Sequence, residues 1–242
     1  MMVLKAFALG AALLGAGIVV VEGRVAVYGR IADRIWQSQP YSPALILDTL
    51  EESANVFPAL ACSTGTAVAR AAIALRALED SMEGHNDLAL PAAIDTAVQA
   101  IDDGLACRPL ASPLWLSRFW VRSMAEGYSP ALNASFDRSI ATAPYDGWMM
   151  RRRVFVGVRY FWALTAAEQA KFFEDFRYLV EMGYLDEAYT IVERLGDQPA
   201  RLKAEIDPWP LQLRNRFVRF LLGKGVDLNI ASDLQLRPWE HY

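Results

Sequence analysis

The sequence predicts an all-α protein, one apolar N-terminal helix followed by a row of short antiparallel helices. Three observations predict it. The first 21 residues, MMVLKAFALGAALLGAGIVVV, carry Lys5 as their only charge. Downstream, proline, serine and glycine recur where helices start and stop. No segment sustains the period-two alternation of a half-buried strand. With 242 residues, 54% hydrophobic and 21% charged, the chain has the apolar mass for a sizeable core and is not of disordered composition. A formal net charge of −4 removes the broad basic field that non-specific nucleic-acid binding requires, so no nucleic-acid partner is expected.

Residues 6 to 21 contain no charge, and residues 1 to 21 as a helix would extend roughly 31 Å, about the thickness of a bilayer's hydrocarbon layer. The segment reads as a transmembrane anchor over residues 1–23. A cleaved secretory signal is the competing reading, with Lys5 as its basic start, and a buried soluble helix is a third. The run ends in Val19, Val20, Val21, Glu22, Gly23 and Arg24, which offers no small-x-small pair for a signal peptidase and favours the uncleaved anchor. Ala8, Ala12 and Ala16 recur every four residues, as do Ala11 and Gly15, a spacing that would let a second helix approach and so allow an oligomer through the anchor. The same composition also fits a plain signal-type segment.

Arg24, Arg30 and Arg34 follow the anchor, and by the positive-inside count they place the body in the cytoplasm. The cysteines argue the other way. Cys62 and Cys107 are an even pair in a chain with an export-like start, which predicts a disulfide and an extracytoplasmic body; two unrelated buried thiols are the alternative. Long domains cross membranes largely regardless of flanking charge, so the expectation is a single-pass protein of the inner (plasma) membrane with its body on the periplasmic side.

Residues 24–41 read as an amphipathic stalk, with Val27, Ile31 and Ile35 on one face, until QSQPYSP interrupts it. In Ser42-Pro43, Ser112-Pro113 and Ser129-Pro130 a hydroxyl that can cap a helix precedes a proline suited to the first turn. Thr165-Ala-Ala-Glu168 is a capping box, and Gly84, Gly127, Gly183 and Gly196 sit where left-handed C-caps end helices. Between these signals lie predicted helices at 43–56, 66–83, 88–106, 113–126, 130–142, 146–162, 166–182, 185–195, 199–206 and 209–222. Short connections make sequential helices antiparallel, so residues 42–225 form one helical domain and residues 226–242 an extended tail.

Trp115 and Trp148 are 33 residues apart and Pro109 and Pro144 are 35 apart, on either side of a 34-residue period. Within that window Gly127 precedes Leu132 by five, Phe136 follows four later, and Pro144 eight after that. These spacings resemble the tetratricopeptide repeat, with its turn glycine, small packing residue, second-helix aromatic and closing proline. Leu132 departs from the alanine of that family, although Ala131 is adjacent. Gly183 again precedes a small residue, Ala188, by five, but lies 56 from Gly127, so the register is broken. The resemblance implies a tetratricopeptide-like antiparallel helical-hairpin solenoid. Over residues 43–222, Cys62 before ARAAIALRAL, LACRPLASPLWL and APYDGWMMRRR also resemble bacterial membrane-anchored helical-repeat proteins associated with exopolysaccharide or O-antigen assembly. That likeness implies an accessory, scaffolding role with a cell-envelope protein as partner, and carries over no catalytic residue.

The residues themselves offer little catalytic chemistry. His85 and His241 are the only histidines, and no phosphate-binding glycine loop or nucleophile elbow is present, so no catalytic, cofactor-binding or metal-binding residue is assigned. Adjacent acids at Glu51-Glu52, Asp102-Asp103 and Asp186-Glu187 point about 100° apart on a helix and read as solvated faces. The run Arg151-Arg152-Arg153 is more specific. Trp148, Phe155, Val158 and Trp162 form one apolar stripe on a helix from Asp146, which places Arg151 within it, Arg152 and Arg159 beside it and Arg153 facing away. A buried arginine requires an anion: internally Asp137 or Asp146, or externally a lipid phosphate, an acidic sugar or a partner's carboxylate. Trp148, Arg151, Arg152 and Arg159 are therefore the candidate anion or partner site. Residues DPWPLQLRNRFVRFLLGKG form a basic amphipathic helix, either a cap on the solenoid or a surface for anionic headgroups.

Overall fold

The computed structural model describes residues 26–37, 39–54, 62 and 65–230, and among them every regular element is a helix. The helices are α1 (26–36), α2 (Pro43–Ala54), α3 (Thr66–Met82), α4 (Leu90–Cys107), α5 (Ser112–Ala125), α6 (Asn133–Thr142), α7 (Gly147–Gly157), α8 (Ala166–Glu181), α9 (Leu185–Arg194), α10 (Pro199–Ile206) and α11 (Leu211–Gly223). Single 3₁₀ turns at Pro130–Leu132 and Val158–Ala163 flank α6 and follow α7. No described helix is long and apolar enough to cross a membrane; the expected anchor at residues 1–23 lies outside the described residues. The chain divides into two compact units, one ending at Gly127 and one beginning at Tyr128.

The first unit holds α1 to α5. Short connections make α3, α4 and α5 antiparallel neighbours, and α3 packs on α2, α4 and α5. The seam between α3 and α4 is built of small side chains: Ala67, Ala71 and Ala74 on one helix, Ala93, Ala97, Ala100 and Gly104 on the other, at spacings of three and four that keep them on one face. Gly104 has no room for more, since a Cβ there would lie 2.7 Å from Leu114 Cδ1 and 3.4 Å from the Ala67 carbonyl oxygen. In α1 the buried face is Tyr28, Ile31 and Ala32, with Ile35 and Trp36 beside them against the same core, while Val27 of the expected stripe is 40% exposed. The stretch foreseen as a stalk thus contributes to this unit's core.

The adjacent acids Asp102 and Asp103 are clamps rather than a solvated pair. Asp102 accepts from Arg118 at 3.3 Å and Arg122 at 2.7 Å on α5, and Asp103 from Arg70 at 3.2 Å on α3, because residues 100° apart on α4 face different neighbours. Cys62 and Cys107 are joined by a disulfide, Cα to Cα 5.0 Å, which ties the chain before α3 to the last residue of α4.

The second unit holds α6 to α11 around a core of aromatic rings. Phe161, Phe172, Phe173, Phe176, Trp209 and Phe217 are linked by ring pairs with centroids 5.0 to 6.3 Å apart, mostly edge to face. The capping box opens α8, with Thr165 Oγ1 accepting from the Glu168 N–H and the Glu168 carboxylate accepting from the Thr165 N–H. Glycine at φ +86 ends α8 at Gly183, where the Tyr184 N–H reaches back to the Leu179 carbonyl; Gly84 closes α3 in the same way, with the His85 N–H on the Asp80 carbonyl. Residues 226–230 are not helical, and they set Val226, Leu228 and Ile230 against this core; residues 231–242 lie outside the described residues.

Several local expectations are corrected. Ser112 is the first residue of α5 and is buried, with Ala111 before it, and neither Ala111 nor Ser129 supplies a capping side chain; proline alone marks these starts. Gly196 does not take a positive φ. The helix foreseen at 146–162 ends as α-helix at Gly157 and tightens into the 3₁₀ turn.

Candidate functional site

The start of α7 is fixed by Asp146, whose Oδ1 accepts the Met149 N–H at 3.0 Å. From there Met149, Arg153, Val154 and Gly157 point into the unit, a spacing of four, five and eight. Gly157 lets the helix approach closely: a Cβ would lie 3.0 Å from Phe172 Cδ2 and 3.4 Å from Phe136 Cζ. The opposite, half-exposed face carries Trp148, Arg151 and Arg152. Of the expected stripe, Phe155 and Val158 pack against the second unit's core, whereas Trp148 is half-exposed and Trp162 is 56% exposed. The arginine that enters the core is Arg153, not Arg151.

Arg153 is 1% exposed and almost fully partnered. Its Nε donates to Asp175 Oδ2 at 2.6 Å and Nη2 to Asp175 Oδ1 at 3.2 Å, a bidentate pair, while Nη1 donates to the carbonyls of Ser139 and Ala143 at 3.3 and 3.0 Å. One guanidinium thus ties α7 to α8 and to the C-terminal end of α6. Burial is the larger influence on the Asp175 carboxyl and holds it above its ordinary value against the pull of Arg153. All of these groups face each other, so this is a structural pair with no open position for a ligand.

Arg151 does find an anion inside the protein, as the requirement for a partner anticipated, but neither Asp137 nor Asp146. It donates to Glu187 Oε1 of α9 at 2.5 Å, and its guanidinium lies 4.9 Å from the centre of the Tyr184 ring. Arg152 lies 5.2 Å over the Trp148 ring one turn away. Arg159 is exposed in the 3₁₀ turn, and Tyr145 just before α7 is 90% exposed. Trp148, Arg151 and Arg152 are therefore brought together with Tyr184 and Glu187 on one outward face of α7 and α9. This is a half-exposed surface of arginines stacked on aromatic rings. Tyr184 and Glu187 were missed because they come from another helix pair, with no local signal in the sequence that ties them to α7.

A second polar cluster lies at the entry to α8. Glu168 is 2% exposed; its Oε2 accepts from Asn133 Nδ2 at 2.8 Å and from the Thr165 N–H at 2.5 Å. Tyr128 donates toward Asn133 Oδ1 and the Ala163 carbonyl. Partial burial first, then the charge of Glu168, raises the pKa of Asp137 above its ordinary value. One oxygen of the Glu168 carboxylate is compensated by N–H donors and by the positive end of α8, while Oε1 is buried without a hydrogen-bond partner; the contact to Asn133 makes the cluster a joint between α6 and α8.

In the first unit His85 is exposed, with Nδ1 3.0 Å from a Glu83 carboxylate oxygen, and among the described residues no group of three or more His, Cys, Asp or Glu side chains is placed to hold a metal ion. No family model matches the chain, and no curated protein or solved structure shows significant similarity to it.

Proposed function

We propose that the protein is a non-catalytic, membrane-anchored scaffold whose second unit docks a cell-envelope protein through the face formed by Trp148, Arg151, Arg152 and Tyr184. The observation that carries this reading is the composition and form of that face. Arginine stacked on tryptophan and tyrosine on a half-exposed face is the make-up of protein-docking hot spots, and stacking fixes the long side chains so that little conformational freedom is left to lose on binding. A tetratricopeptide-like arrangement is supported by the first unit, where α3 packs on both of the next two helices, as stacked hairpins do. The disulfide and the apolar run at residues 1–21 support an extracytoplasmic body on a single-pass anchor in the inner membrane, and the anchor's small-residue spacing leaves room for an oligomer. A polysaccharide assembly or export complex is the setting that the sequence resemblance suggests.

The alternative, an anionic glycan or lipid-linked substrate held by Arg151, Arg152 and Trp148, is weakened by Glu187, which already occupies Arg151. The test is co-purification of the full chain from membranes in detergent, compared with the double variant Trp148→Ala, Arg152→Glu and with the chain lacking residues 1–23. Deletion should stop before residue 26, because Tyr28, Ile31 and Ala32 belong to the core. The scaffold reading expects the double variant to lose a defined envelope partner at an unchanged melting temperature. Retention of that partner by the variant would sink it.

A further inference from the structure

The geometry points to the outward face of α11 as a docking site for an acidic peptide segment of a partner protein. This helix, LQLRNRFVRFLLG, contains three arginines and no acidic residue. Its apolar side is committed inward: Phe217, Val218 and Leu221 are buried in the second unit's core. What remains outside is Gln212, Asn215, Arg216, Arg219 and Phe220, at spacings of three and four, lining a shallow open groove of about 500 Å³.

Among the described residues the arginines of this helix have no carboxylate partner within ion-pair distance. Arg214 donates to the Asp207 carbonyl at 2.5 Å, and Arg216 donates to the carbonyls of Val180 and Glu181 at the C-terminal end of α8. In the groove, carbonyls position the Arg216 guanidinium and leave its formal charge free, with the exposed Arg219 one turn away. Arginine's rigid fork matches a carboxylate through paired N–H donors, so the groove suits glutamate or aspartate side chains.

Two further features favour a peptide segment over a lipid surface. Phe220 adds an apolar edge beside the arginines. Because the apolar side of α11 is buried, the helix has no face with which to enter a bilayer, and only its polar side is on offer. This site does not depend on the Trp148 face.

The full chain in detergent micelles is titrated against a fluorescein-labelled decapeptide of alternating glutamate and alanine, at about 20 mM and about 300 mM salt to vary screening. Binding by the wild type is expected, reduced at least about tenfold by Arg219→Glu and lowered at the higher salt. Arg194→Glu, an exposed arginine on α9, and Trp148→Ala should leave it unchanged, and melting temperatures report that each variant is folded. The proposal is overturned by absence of peptide binding to the wild type, by equal binding to Arg219→Glu, or by Arg219-dependent binding to phosphatidylglycerol vesicles that the peptide does not compete away.

Discussion

The two units reach helical packing by opposite means. In the first, α3 and α4 meet through alanines and Gly104, so the helices lie close and little side-chain volume separates them. The rim of that seam is tied by Asp102 and Asp103 to three arginines, and its loop by a disulfide. In the second, six aromatic rings fill the space between helices, and a buried arginine-aspartate pair joins α6, α7 and α8 at one point. Small-residue packing tolerates no added volume, and aromatic packing tolerates no loss of it. The first unit is stapled from outside and the second from within, and this difference can be broken one staple at a time.

The largest effect is expected at the internal staple. Asp175→Ala leaves the Arg153 guanidinium buried with only two carbonyls, and removal of one partner from a buried pair costs about 3–5 kcal/mol. Denaturant unfolding of the variant should show the loss in the second unit's transition. The double change Arg153→Met, Asp175→Leu should recover much of it, since apolar replacement removes both desolvation penalties. A single variant as stable as wild type would show that the pair is not the joint described above.

At the external staple, reduction of Cys62–Cys107 should destabilise the first unit by about 2–4 kcal/mol, the range for a loop of this length. The calorimetric transition assigned to the second unit should be unmoved, because that unit contains no cysteine. A reductant that shifted both transitions equally would mean that the units unfold together.

A smaller contrast lies inside the first unit, between two helical glycines. Gly104→Ala gains helix propensity but sets a methyl 2.7 Å from a buried leucine carbon, and overpacking of about 1–3 kcal/mol outweighs the gain. Gly29→Ala in α1 meets nothing within 4 Å and should stabilise by about 0.5–1 kcal/mol. Melting temperatures moving in opposite directions would verify the small-residue seam; a shared direction would refute it.

How much of this was legible in the sequence follows from the range of the forces involved. The capping box at Thr165, the glycines ending α3 and α8 and the prolines opening helices are local chemistry, and they placed the helix limits within a few residues. The phase of α7 was not legible, because large aromatic residues were taken to point inward. Trp148 is half-exposed and stacked with Arg152, while the inward positions include Arg153 and Gly157, one charged and one without a side chain, which carry no hydropathy signal. The partners of Arg151, Arg153 and Asp102 sit on helices brought near only by the fold. The division into two units has a similar origin: the repeat-like window from Trp115 to Pro144 runs through Gly127, and its helices fall in different units.

The smallest effect concerns the acidic pH range of the second unit, which holds carboxyls pushed upward. Asp137 is raised by partial burial and then by Glu168, and a carboxyl whose folded pKa exceeds its unfolded value binds protons more readily in the folded state. Its contribution is therefore most favourable below its ordinary pKa of 3.8 and is lost as pH rises from there through the elevated folded value. Asp137→Asn removes the titration, so the second unit's stability should fall less steeply over that window while shifting by no more than about 0.5 kcal/mol at neutral pH, the scale of a surface substitution. If the pH profiles of variant and wild type coincide, Asp137 does not feel Glu168 across the α6–α8 joint, and the joint rests on Asn133 alone.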